Sequence, residues 1–223
     1  MKIIATWSGE CFTEKQVQVL ARQCEKYAPL DDFVCITPVE VPGVECWKPK
    51  FKWPGWWHKY ETFAPHIHGT VLYVDIDTVI RGSLEDIVAV KKLTLLRDFY
   101  RDGKTPSGGF MRRGPPRSEG LQASLMVLPE EDRAEIWEDW MKNPSAHMQR
   151  LGLKGDQPML EKHFLHRAQR WQDVVPGQIV SYKVDCCGGN EFQTPAVPAD
   201  ARLVVFHGLP RPWDTEHFKD LYV

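Results

Sequence analysis

The chain has 223 residues, 43% of them hydrophobic and 26% charged, with a formal net charge of −2. That length can bury a substantial core in one domain, and the near-neutral balance excludes a polycation that grips nucleic acid by bulk charge. No run approaches the roughly 20 apolar residues of a membrane span, so no membrane association is expected.

Met1 and Lys2 lead straight into Ile3-Ile4-Ala5-Thr6-Trp7, strand-like and too short for a signal-peptide core, which predicts a cytoplasmic protein. The first strand is expected over Lys2–Trp7. Thr13-Glu14-Lys15-Gln16 is a capping box opening a helix, with Val17, Leu20, Ala21, Cys24 and Tyr27 on its buried face. Asp32–Thr37 reads as a second strand, closed by Pro38. A strand, a helix and a parallel strand open an α/β layer. No glycine-rich dinucleotide fingerprint follows the first strand and no P-loop occurs, so those nucleotide sites are excluded. The six cysteines show no metal-ligand spacing and read as reduced thiols.

Residues 39–55 are expected as a loop rich in proline, lysine and tryptophan, followed by a short helix, Trp56–Ala64, stopped by Pro65. Trp47, Trp53, Trp56 and Trp57 have two readings: a satellite core, or rings that stack on a sugar or base while Lys48, Lys50, Lys52 and Lys59 take phosphates.

Thr70–Val74 is an apolar, β-branched run that reads as a buried strand and ends in Asp75-Ile76-Asp77. Open α/β sheets bind ligands at the carboxyl ends of their strands. Two neighbouring carboxylates are costly to bury bare, and a hard divalent cation is a natural counter-charge.

A helical turn is expected over Leu84–Ile87 and a strand over Leu93–Leu96. A long, mobile, arginine-bearing loop is expected over about residues 101–120, then a strand over Gln122–Leu128. Pro129 opens a helix expected to turn Ala134, Trp137, Trp140 and Met141 inward. Asp156 as N-cap and Pro158 in the first turn mark a helix start, with Asp156-Gln157 at its N-terminus. His163 and His166 read as helix-surface residues. Strands near Ile179–Lys183 and Arg202–Phe206 follow, the latter running into His207-Gly208-Leu209-Pro210-Arg211-Pro212-Trp213. Neither a linker nor an internal repeat appears, so residues 1–223 are expected to form one domain.

In that order the pieces resemble a nucleotide-sugar glycosyltransferase of the GT-A fold, and are most similar to family eight, which includes glycogenin and the lipopolysaccharide galactosyltransferases. The resemblance implies a single Rossmann-like α/β domain with a mixed, mostly parallel sheet and helices on both faces. It implies that Asp75, Asp77 and His207 hold Mn2+ or Mg2+ against the diphosphate of a donor sugar nucleotide, a UDP-sugar. Thr6, Trp7, Lys59, Asp75, the small-residue segment Gln122-Ala123-Ser124, Gly208 and Arg211 would contact that donor. Asp156 and Gln157 would line the reacting face, with retention of anomeric configuration. Two departures stand out: His207 adjoins Gly208, two residues nearer the tail than in the family's H-x-x-G-x-x-K-P-W, with Arg211 in place of the lysine, and Gln122 replaces an asparagine.

The acceptor stays open between a saccharide and a hydroxylated base in DNA, the latter suggested by Trp56, Trp57, Arg112, Arg113 and Arg117 as a basic, aromatic groove. Two other classes compete. Asp75-Ile76-Asp77-Thr78 also fits the signature of haloacid-dehalogenase-like phosphatases, with Asp75 as nucleophile, and a non-catalytic sugar-nucleotide-binding module would need no metal.

Overall fold

The computed structural model of the chain describes residues 1–99, 120–152, 155–188 and 195–223. In chain order these form β1 (Lys2–Thr6), α1 (Glu14–Tyr27), β2 (Asp32–Ile36), β3 (Glu45–Trp47), a 3-10 helix (Gly55–Phe63), β4 (Val71–Val74) and β5 (Val79–Ile80). There follow α2 (Glu85–Ala89), β6 (Thr94–Arg97), β7 (Leu121–Leu128), α3 (Ala134–Lys142), α4 (Pro144–Leu151), α5 (Gln157–Phe164), β8 (Gln169–Arg170), α6 (Trp171–Val174), β9 (Ile179–Ser181) and β10 (Leu203–Val205).

The central sheet has the order β3-β2-β1-β4-β7-β6-β8. β7 runs antiparallel to β4 and β6, and the other neighbours are parallel. This is the mixed, mostly parallel α/β sheet expected from the sequence. β4 shows why its sequence is an unbroken apolar run. Leu72 and Val74 face one core with Val17, Leu20 and Cys24 of α1 and Trp171 of α6. Val71 and Tyr73 face the other, with Trp57, Tyr60, Trp140 of α3 and Phe164 of α5. A central strand covered on both faces has no solvent side on which polar residues would alternate. Thr13 opens α1 as expected, its backbone N–H donating to Gln16 Oε1 at 2.8 Å.

A second sheet, β5-β10-β9, was not foreseen. It encloses a small core of Val79, Val180, Tyr182, Val204 and Phe206, and sets the exit of β10 beside the carboxyl end of β4. Several other local expectations are corrected. β3 lies inside the predicted loop 39–55 and pairs in parallel with β2. The short helix expected at Trp56–Ala64 is present as a 3-10 helix, Gly55–Phe63, in which every residue from Trp57 to Phe63 is buried. A 3-10 turn, Glu130–Asp132, precedes α3. Trp140 faces inward as expected, with Trp137 partly buried against the same core; Ile136 joins them, while Ala134 is exposed and Met141 is 37% exposed. The strand expected to reach Lys183 stops at Ser181, where a π-helical turn, Tyr182–Cys186, begins. The expected loop at 101–120, with Arg112, Arg113 and Arg117, lies outside the described residues apart from residue 120. Among the described residues, no helix is long and apolar enough to cross a membrane.

Candidate active site

Strand direction gathers the candidates. β1, β4 and β6 end at the same edge of the sheet, where antiparallel β7 begins. Thr6 and Trp7 leave β1 there, Asp75 and Asp77 leave β4, Asp98 leaves β6, and Gln122 to Ser124 enter β7. The backbone N–H of Asp75 donates to Ser124 O at 2.9 Å, fixing one against the other. These residues line a cleft of about 690 Å³ together with Trp56, Trp57, Lys59, Asp156, Gln157, His207, Gly208 and Arg211. All the site residues named from the sequence that fall among the described residues therefore face one cavity.

Lys59 ties two distant segments together. Its Nζ lies 3.1 Å from Asp75 Oδ1 and 2.9 Å from Asp156 Oδ2, and 5.1 Å from the centre of the Tyr73 ring. Burial alone would lower the lysine pKa, but the Asp156 and Asp75 carboxylates push it well above the ordinary value, so it stays charged. Tyr73, two residues before Asp75 on the same strand face, donates its hydroxyl to Asp75 Oδ1 at 2.7 Å. Burial and then the Asp75 charge push that phenol well up, and it remains a donor. Asp156 occupies the N-cap position of α5 as expected, but its side chain makes no cap bond and goes to Lys59 instead.

Gln157 donates Nε2–H to Leu121 O at 2.9 Å and to Asp98 Oδ2 at 3.3 Å. Both amide hydrogens are thereby directed away, and the carbonyl oxygen is the group it can present to the cleft. Gln122 turns back on its own segment, donating to Ser124 Oγ at 2.6 Å while accepting from the Ser124 N–H at 3.1 Å.

The segment after β10 closes the opposite wall. Arg211 forms an ion pair with Asp77, whose side chain is 5% exposed against 28% for the arginine. Its guanidinium carbon also lies 5.6 Å from the centre of the Phe12 ring. His207 Nε2 pairs with Ser181 Oγ at 2.7 Å, and its ring stacks on Phe99 with centroids 5.9 Å apart. Burial, then the nearby Lys183 charge, lowers the His207 pKa to about 3, which keeps the imidazole neutral. Lys183 Nζ donates to His207 O at 2.8 Å. A β-carbon on Gly208 would sit 3.4 Å from that ammonium, at a φ of +79° that side chains resist, which accounts for glycine there.

The two tryptophans at the cleft part company. Trp57 is 7% exposed and stacks on Trp140 at 5.7 Å, so its ring belongs to the core; Trp56 is 51% exposed. Trp53 is core as well, stacked on Phe51 at 4.7 Å. His163, expected on the helix surface, is instead drawn onto Asp139 Oδ2 at 3.0 Å. The sequence reading passed over Tyr73, Asp98 and Glu10 as site residues. Strand period marks the first, and the strand end at Arg97-Asp98 marks the second. Glu10 carries no signal before the fold is known.

Among the described residues, five carboxylates (Glu10, Asp75, Asp77, Asp98 and Asp156) line the cleft beside two obligate cations, Lys59 and Arg211. Two carboxylates and a neutral imidazole are donors that suit a hard divalent ion. In this arrangement they are committed elsewhere, and among the described residues no three His, Cys, Asp or Glu side chains converge as a metal-holding group.

No protein-family model and no curated protein sequence matches the chain. Solved structures do. The WbbM bifunctional glycosyltransferase matches with a TM-score of 0.61 at 15% identity, over 100% of this chain and 48% of its own. The galactosyltransferase LgtC, in complex with donor and acceptor sugar analogues, matches with 0.63 at 14% identity, over 100% of this chain and 95% of its own. The glycosyltransferase GlyE of Streptococcus pneumoniae TIGR4 gives 0.63 at 13% identity, covering 100% and 59%. The chain thus spans about half of WbbM and nearly all of LgtC. At these identities the likeness establishes the fold: a mixed α/β glycosyltransferase fold, as the GT-A resemblance implied.

Proposed function

We propose that the chain is a metal-dependent glycosyltransferase that moves a hexose from a nucleoside-diphosphate sugar, a UDP-sugar, to a hydroxyl acceptor with retention of configuration. The observation that carries this reading is the single cleft at the sheet's carboxyl edge. It collects Asp75, Asp77, Lys59, Asp156, Gln157 and Arg211 from separate segments of the chain.

Charge decides the need for a cation. At an effective dielectric of 20, two unit charges 4 Å apart interact by about 4 kcal/mol. A diphosphate entering beside the five carboxylates and two cations of the described lining would gain from positive charge brought with it. By residue type Asp75, Asp77 and His207 would suit a divalent ion, although their side chains do not converge as a ligand group among the described residues. Bound there, the ion would act as a Lewis acid and neutralise the leaving diphosphate.

The protein's own groups do the rest. Thr6 and Trp7, at the end of β1, would flank the nucleoside. Lys59 keeps Asp75 and Asp156 in place, and Tyr73 fixes the Asp75 oxygen that faces it. Gln157, its amide oriented by Asp98 and Leu121 O, presents a carbonyl oxygen to the developing positive charge at the sugar's anomeric carbon. One LgtC structure carries an active-site glutamine-to-glutamate substitution, which accords with a glutamine in this role. A saccharide hydroxyl suits the acceptor side, because the exposed Trp56 offers a stacking face and the described lining is rich in carboxylates. A DNA backbone would meet those carboxylates unfavourably.

A donor screen with Mn2+, reading nucleotide release with and without saccharide and hydroxylated-DNA acceptors, tests the proposal. We expect release from a UDP-sugar that falls by about 10²-fold or more in Asp77→Asn. The anomer of the product, read by NMR, checks retention. Phosphomonoester hydrolysis through Asp75, or sugar-nucleotide binding indifferent to Mn2+ and to Asp77→Asn, would overturn it in favour of a phosphatase or a binding module.

A further inference from the structure

Asp77 is buried at 3% exposure, just past the end of β4, and its partner is the Arg211 guanidinium. A carboxylate so placed is too costly to leave bare, so some cation must face it at every stage of a binding cycle. Arg211 is the partner able to leave. Its side chain is the more exposed of the two, it lines the cleft, and it reaches Asp77 from the loop after β10 across a chain separation of 134 residues. Its backbone is anchored independently, the N–H donating to Asp214 Oδ2 at 3.1 Å, and Phe12 offers its ring as a resting face. Asp75, by contrast, keeps Lys59, which is itself buried between two carboxylates.

We propose that Arg211 is an exchangeable counter-ion: it neutralises Asp77 in the nucleotide-free protein and competes with a divalent cation for that carboxylate. Arg211 released from Asp77 remains inside the cleft, with its guanidinium available to the incoming diphosphate. The free protein therefore takes up a divalent ion weakly, and uptake strengthens when a diphosphate is present to receive the guanidinium. By linkage the same coupling tightens the nucleotide in the presence of the ion. This rests on the donor reading above for the diphosphate, but not for the competition itself.

The test is Mn2+ binding to the full chain, followed by the paramagnetic signal of the free ion, without and with UDP. Arg211→Gln removes the competitor and should bind Mn2+ alone about tenfold or more tightly than the native chain. At saturating Mn2+ the same variant should bind UDP about tenfold or more weakly, having lost the guanidinium. Adding Asp77→Asn to Arg211→Gln should abolish the gain. Arg211→Lys, which keeps the charge, should stay within a few-fold of the native affinity for Mn2+ alone and guards against a folding defect in the glutamine variant. Unchanged or weaker Mn2+ binding by Arg211→Gln, or a gain that survives Asp77→Asn, overturns the exchange. Failure of every form to bind UDP overturns the donor reading instead, and leaves the Mn2+-alone comparison to decide the exchange.

Discussion

The cleft and the packing block behind it share two elements, yet they differ in how their charges are matched. The 3-10 helix Gly55–Phe63 sends Trp56 and Lys59 to the cleft, and Trp57, Tyr60 and Phe63 to the block. α5, with the Asp156 before it, gives Asp156 and Gln157 to the cleft, and Phe164, Lys162 and His163 to the block. In the block, rings stack on rings: Tyr60 lies 3.8 Å from Trp140 between centroids, at an interplanar angle of 8°. One of its buried carboxylates, Asp139, is met by Lys142, Lys162 and His163. Among the described residues of the cleft the carboxylates outnumber the cations, and an aromatic ring is left exposed. A buried carboxylate ringed by cations marks a part that holds the fold; a surplus of carboxylates among the described lining residues marks a part that awaits a ligand.

The strongest way to break this contrast is at the junction of the two regions. Trp57→Ala removes a 7%-exposed indole stacked on Trp140 and tilted 29° to Tyr60. Loss of its buried area together with the cavity left behind should lower stability by roughly 3–5 kcal/mol, read by chemical denaturation. A loss under about 1 kcal/mol, the scale expected at an exposed surface position, would place Trp57 with Trp56 and undo the division.

Lys59→Met separates the regions by the kind of damage. Methionine keeps much of the stem's packing, but Asp75 and Asp156 lose their shared cation. Turnover should fall about 10²- to 10³-fold, the scale of removing one oriented electrostatic group. The thermal midpoint should move less than in Trp57→Ala. The opposite ranking, a large stability loss with turnover preserved, would make Lys59 a part of the block.

How much of this division the sequence carries depends on the range of the interactions. β4 and its two aspartates are legible because burial on both faces writes an unbroken apolar run, and a sheet's carboxyl edge is where such a run ends. α1 is legible through its capping box. β3, Glu45-Cys46-Trp47, is hidden because a three-residue edge strand presents no buried face long enough to leave a pattern. The inward face of α3 is legible at Trp140 and Trp137 and is missed at Ile136, Ala134 and Met141. That Lys59 would bridge Asp75 and Asp156, or Arg211 meet Asp77, could not be read locally. The partners sit on segments that only the strand order and the second sheet bring together. The separate fates of Trp56 and Trp57 follow from the pitch of a 3-10 helix, a helix type that the sequence reading leaves open.

Asp139 is the subtler test, because it asks whether a buried carboxylate of the block is structural. Its oxygens lie 2.6 Å from Lys162 Nζ, 3.0 Å from His163 Nε2 and 3.5 Å from Lys142 Nζ. The hydrogen bond from Lys162, opposed by burial and reinforced by His163, holds its carboxyl well below the usual aspartate range. A depressed folded-state pKa means that the unfolded chain takes up the proton first. The stabilisation is therefore present above the unfolded aspartate pKa of about 3.9 and is lost as pH falls from there through the folded value. Lys142 and Lys162 are themselves half or more exposed, at 75% and 56%, so solvent screening trims the effect. Asp139→Asn should cost roughly 1–2 kcal/mol at neutral pH. The gap to the native chain should narrow in denaturation curves recorded below about pH 4, where the native carboxylate begins to lose its advantage. Turnover measured well below the unfolding temperature should stay unchanged. A gap that persists undiminished in acid would mean that Asp139 acts through shape and not charge, and a selective loss of turnover would tie the block to the chemistry of the cleft.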